Sequence, residues 1–195
     1  MTGVAAIFHV SDGPALSSLS PRPAPAGTPR PAPAGTPRPA LAGTPHEGRA
    51  LVWGVDDKHL ANYLVPRDCP RVCWVPPAAE PGVLGSPSGR VVAIEHAWLP
   101  RVMATVLRVH ELDPAHFRCL DEVAGYWVAE QEVAVRRVRT VDDCAAALAE
   151  RGVELRVTAS LWPYVDAVVA QGGEFSIIRI RNAGRDQQDD RPTRS

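Results

Sequence analysis

Apolar residues in this chain fall into short runs separated by polar or proline-bearing segments, a spacing that suits strands better than long helices. The runs at residues 4–10, 50–55 (ALVWGV), 71–75 (RVCWV), 91–95 (VVAIE), 105–112 (TVLRVHEL), 125–129 (GYWVA), 133–138 (VAVRRV), 153–157 (VELRV) and 175–180 (FSIIRI) predict nine strands. Helical spacing is briefer. Asp56 and Asp57 open a predicted helix of about two turns through Leu60, Ala61 and Leu64, stopped by Pro66. A short helix is expected at 97–103. Thr140 is the expected N-cap of a helix over 141–151, with Asp142 and Asp143 in its first turn and Gly152 just past its end. Ser160 caps a last helix that carries Leu161, Trp162, Val165, Val168 and Val169. Nine strands against four short helices predict an α+β single domain with a mixed or split antiparallel sheet and flanking short helices.

An octapeptide repeat interrupts this pattern. PRPAPAGT occupies 21–28 and again 29–36, and PRPALAGT follows at 37–44. Proline removes amide donors and alanine offers little to pack, so residues 21–49 read as a disordered loop inserted into a domain spanning 1–183. Residues 184–195, GRDQQDDRPTRS, read as a disordered polar tail. The loop carries four arginines against one glutamate, a local +3 that leaves about −4 on the rest of the chain.

Twenty-one basic and 22 acidic residues give a net charge of −1, which argues against a nucleic-acid or anionic-membrane partner recruited by bulk charge. No apolar run approaches the roughly 20 residues that span a bilayer. The first run has no basic residue before it and no small-residue cleavage site after it, so it reads as a strand rather than an export signal. Cys69, Cys73, Cys119 and Cys144 then suggest reduced thiols and a cytoplasmic location. Cys69 and Cys73 have three residues between them and no second pair at knuckle spacing, so no structural zinc or other metal is expected.

The sequence has no glycine-rich phosphate loop, HExxH helix, GxSxG elbow or DxD pair. What remains are polar groups scattered through apolar strands: His9, His110, Glu95, Glu130, Glu132, Arg67, Arg71, Arg179 and Asn182. In PRDCPR, Arg67 and Arg71 stand four residues apart, either as a clamp for a phosphate or carboxylate or as a surface turn whose arginine pairs with Asp68. Arg179 and Arg181 flank one strand position and so should share a face, where they would hold an anion or be solvated.

FHVSD from Phe8, LVWGVDDKHLANYLVPRDCPRV from Leu51, VAGYWVAEQEV from Val123 and RIRNA from Arg179 together resemble a small uncharacterised bacterial family, with no activity attached. More distantly the layout is similar to the ADP-ribosyltransferase fold, including its rifampin-modifying branch. That fold opens on a strand bearing a histidine, followed by a loop, a strand with an aromatic residue and a helix, and in many members a later glutamate. The resemblance implies NAD as cofactor, with His9 and Ser11 on the ribose next to nicotinamide, Trp53 near the nicotinamide and Glu130 or Glu132 as the late carboxylate. In that reading His9, Glu130 and Glu132 are the catalytic candidates, and His9, Ser11, Trp53, Arg67 and Arg71 the cofactor-binding ones. A carboxylate there would stabilise oxocarbenium charge or take a proton from an acceptor.

Three functions are therefore weighed. One is an NAD-dependent ADP-ribosyltransferase-like enzyme with an unknown acceptor. The second is a non-enzymatic module holding a nucleotide or other anionic small molecule on Arg67, Arg71 and Arg179. The third is a scaffold whose proline-rich loop meets a protein partner. Convergence of His9, Trp53 and a glutamate in one pocket would favour the first, and an arginine-lined site without that convergence the second.

Overall fold

The computed structural model describes residues 5–23, 48–77 and 82–184; most of the octapeptide repeat, and the tail past Gly184, lie outside the described residues. The fold is α+β, with two sheets and short helices between their strands. The strands are β1 (Ile7–Ser11), β2 (Ser18–Leu19), β3 (Arg22–Pro23), β4 (Ala50–Asp56), β5 (Arg71–Trp74), β6 (Arg90–Glu95), β7 (Leu107–Leu112), β8 (Arg118–Asp121), β9 (Tyr126–Ala129), β10 (Val133–Val141), β11 (Val153–Thr158) and β12 (Phe175–Ile178). The helices are α1 (Leu99–Ala104), α2 (Cys144–Ala149) and α3 (Trp162–Gln171).

The larger sheet runs β2-β10-β7-β1-β4-β9-β8, with β3 added to β4, and its pairings are antiparallel. The smaller runs β11-β6-β5-β12, where only β11 and β6 are parallel. Phe8, Val10, Val55, Leu107 and Val109 from the larger sheet meet Cys73, Val92 and Ile94 from the smaller in one core, closed by Leu60, Leu64 and Leu148. The far face of the smaller sheet packs Val72, Trp74, Val91 and Ala93 against Leu161, Val165 and Val168 of α3. The far face of the larger sheet buries Ile7, Val52, Leu112 and Ala129 under Leu19, Phe117 and Leu16.

Departures from the expected elements have local causes. The helix expected from Asp56 is a single 3-10 turn, Leu60–Tyr63, and the Asp56 carboxylate ahead of it accepts from the His59 amide at 3.0 Å and meets the His59 ring at 2.7 Å. The strand expected to end at 138 continues to Val141, and the cap of α2 is Asp143, whose Oδ1 accepts from the Ala146 amide at 2.9 Å, rather than Thr140. Both ends of the expected loop at 21–49 are anchored, since Arg22 and Pro23 pair with Leu51 and Ala50.

Asp56 also joins the two sheets. His59, buried at 1% exposure, bonds Asp56 through Nδ1, and its Nε2 lies 3.2 Å from Glu174 Oε1 just before β12. Glu174 in turn pairs with Arg90 at the start of β6 and with Lys58. The β8–β9 turn meets this cluster at Gly125, which sits at φ +68 with its α-carbon against the imidazole.

Candidate functional site

The β1–β4 ladder covers only Ile7↔Asp56 and Phe8↔Val55, while β1 pairs with β7 over five residues. Where the two strands part, the His9 ring takes over: its Nδ1 lies 2.9 Å from the Trp53 carbonyl. A carbonyl only accepts, so Nδ1 carries the proton and Nε2 is left with a lone pair. Burial lowers the His9 pKa below its ordinary 6.5, and the charges of His110, Arg67 and Arg22 push the same way against the Trp53 hydrogen bond. His9 is thus a neutral imidazole with one open acceptor.

His110 lies directly across on β7, ring centroids 6.1 Å apart. Both of its nitrogens are spent on backbone: Nε2 accepts from the Leu16 amide at 3.1 Å, and Nδ1 donates to the His9 carbonyl at 3.3 Å. It is fully buried and anchors the segment that covers β1. Ser11 follows His9 by two residues on β1, and its Oγ is buried without a hydrogen-bond partner. Trp53 meets His9 through its main chain, while its indole packs with Leu51, Val128 and Leu120 and stands edge-on to Tyr126. Its Nε1 is likewise buried and unpartnered.

The glutamates lie on the exposed β9–β10 turn. Glu130 pairs with Arg49 at 2.8 Å and lines a cavity of about 300 Å³ with His116, Phe117, Arg118 and Gln131, while Glu132 accepts from Ser20 Oγ at 3.0 Å. His9 and Trp53 are brought together; the bonds that hold Glu130 and Glu132 run to Arg49 and Ser20.

The arginines gather around the turn between the 3-10 segment and β5. Arg71 is 2% exposed and donates to the carbonyls of Asn62 at 2.7 Å and Cys69 at 2.8 Å, with Pro66 and Arg67 at 3.4 Å. Its guanidinium lies 5.3 Å from the centre of the Tyr63 ring. Arg71 therefore moulds the turn, and among the described residues no carboxylate pairs with its charge. Arg67 stays exposed on that turn. Arg179 is not the strand residue its alternation suggested: β12 stops at Ile178, and Arg179 takes φ 54, the one left-handed non-glycine among the described residues. Its Nε lies 3.9 Å from Asp68 Oδ1, and Asn182 Nδ2 donates to the Asp68 carbonyl at 2.7 Å. Burial lowers the Arg179 pKa, and Arg181, Arg67 and Arg71 lower it further, with Asp68 alone opposing them. Three guanidiniums thus act on that of Arg179, opposed by the Asp68 carboxylate, and Arg67 also acts on His9. Sequence reasoning missed Arg22, because it fell inside the expected loop.

All four cysteines are free, and burial pushes Cys69 to about 12 and Cys73 and Cys144 to about 11. Among the described residues no group of three or more histidine, cysteine or acidic side chains is placed to hold a metal, and no helix is long and apolar enough to cross a membrane. A family model described as "Family of unknown function (DUF6886)" matches residues 8–183, which takes in β1 through the segment after β12. Neither a curated protein nor a solved structure matches the chain.

Proposed function

Starting from the chain's membership of that family of unknown function, we propose that it binds a phosphate-bearing small molecule along the seam from Arg67 and Arg179 to His9. The observation that carries this is Arg179: a non-glycine residue held left-handed, at about 1–3 kcal/mol of backbone strain, with its guanidinium among like charges. Asp68, 3.9 Å away, offsets only part of the like charge acting on Arg179, and a phosphate would offset the rest through charge-assisted hydrogen bonds.

NAD and ADP-ribose use the neighbouring groups as well. The His9 lone pair and the Ser11 hydroxyl, two residues apart on β1, supply the acceptor and donor that a ribose diol requires, and a diphosphate would reach Arg67. Transfer chemistry on NAD would further need a carboxylate at the ribose. Glu130 and Glu132 are held at exposed turn positions by Arg49 and Ser20, so binding stands ahead of catalysis.

Calorimetric titration with inorganic pyrophosphate, ADP-ribose and NAD tests the reading. Saturable binding that weakens with salt, and about tenfold or more in Arg67→Gln, is expected. Absence of binding by all three, or affinity untouched by Arg67→Gln, overturns it.

A further inference from the structure

A hollow on the larger sheet is lined by none of Arg67, Arg179 and His9. A cavity of about 190 Å³ is lined by Phe8, Leu60, Val109, Glu111, Arg137, Arg139 and Arg151. Strand register explains its make-up. Arg137 pairs with Glu111 and Glu111 with Phe8, forming one row across β10, β7 and β1; Arg139 pairs with Val109 and Val109 with Val10, forming the next. The same sheet face therefore runs from apolar core to basic rim. Arg137 and Arg139, two residues apart, point the same way about 7 Å from each other, a spacing that lets two guanidiniums straddle one oxyanion.

The surrounding arginines are committed. Arg151 is bound to Asp57 Oδ1 at 2.8 Å and to its carbonyl at 3.2 Å, and Arg136 to Asp113 at 2.5 Å. Among the described residues the guanidiniums of Arg137 and Arg139 have no hydrogen-bond or ion-pair partner. Charges on an edge strand also guard against edge-to-edge pairing, and β10 is unpaired on its outer side past Val135. That role explains exposed arginine, but not a hollow floored by Phe8, Leu60 and Val109.

The geometry points to a site for a small oxyanion carrying a compact apolar body, of the arenecarboxylate type, with its charge between Arg137 and Arg139 and its body against Phe8, the half-buried edge of the core over Leu60 and Val109. The hollow shares no lining residue with the Arg67–Arg179 seam, so the two take their ligands independently.

The test is a titration of the full chain with benzoate, benzamide and inorganic phosphate. Benzoate is expected to saturate, with benzamide silent and phosphate at least about tenfold weaker for want of the apolar body. Arg139→Gln and Arg137→Gln, both exposed and outside the core, should each weaken benzoate about tenfold. Glu111→Gln should tighten it several-fold by removing the competing carboxylate, and Arg67→Gln should leave it unchanged. No saturation by benzoate, benzamide binding as well as benzoate, phosphate matching benzoate, or indifference to both arginine changes would each overturn the proposal.

Discussion

Substituting Gly125 by alanine tests the joint between the sheets. Gly125 sits at φ +68, and a β-carbon there would lie 2.1 Å from His59 Nδ1, 2.5 Å from Cγ and 2.8 Å from Cβ. Backbone strain alone costs about 1–2 kcal/mol for a residue with a β-carbon. The collision falls on the very nitrogen that bonds Asp56 at 2.7 Å, so the ring must leave that carboxylate, and losing a buried charge-assisted hydrogen bond adds about 1.5–3 kcal/mol. The sum is about 2.5–5 kcal/mol, or about 10 °C in Tm for a chain of this length. Gly152→Ala is the internal control: its φ is +67, with nothing within 4 Å of the new carbon, so it should cost only the backbone part. In a His59→Ala background the cost of Gly125→Ala should shrink to that of Gly152→Ala. Chemical denaturation of the four variants reads this out. Equal costs for Gly125→Ala and Gly152→Ala, or a Gly125→Ala cost that persists without the imidazole, would refute the reasoning.

Arg179→Gly relieves the left-handed strain and removes a guanidinium, so it should raise the unfolding free energy by about 1 kcal/mol while weakening pyrophosphate binding, and a variant that loses stability would contradict this. The lowered pKa of His9 means the unfolded chain takes up its proton first. Stability from this group is complete above pH 6.5 and is lost as pH falls from there towards the folded-state value. His9→Gln should flatten that part of the stability profile, leaving the further loss below about pH 4.5, where the lowered carboxyls of Glu174 and Asp56 protonate. Thiol labelling of the native protein at pH 8 should modify Cys119 alone, the exposed cysteine, with the other three reacting only on unfolding. Rapid native labelling of two or more would show the core to be looser than described.

Much of the fold could be read from apolar runs, because strands such as β5, β6 and β7 bury side chains strongly enough to leave an apolar pattern. β2 and β3 could not, since two-residue pairings involve too few side chains to make a period, and β8 (RCLD) is an exposed, mixed edge. The end of β10 was hidden by Arg136, Arg137 and Arg139, whose charges suit an outer strand but resemble a loop in sequence. His9 was legible as a polar residue in an apolar strand. Its partner was not, because Trp53 accepts through the main chain, 44 residues away across the repeat. The Arg179 conformation had no signal, since glycine or asparagine is what a left-handed turn normally advertises. The identity of Arg71 as a buried turn-former was masked by its charge, which reads as surface until four carbonyls are found around it.

The central claim is that a phosphate-bearing ligand sits between the arginine seam and a neutral, Nδ1-protonated His9. Nitrogen-resolved NMR of the histidine rings during a titration with ADP-ribose addresses it most directly. The free protein should show the Nδ1–H tautomer, and the His9 pKa should rise on saturation as the diphosphate offsets Arg67. An Nε2–H tautomer, or a His9 resonance and pKa unmoved by saturating ligand, would contradict it.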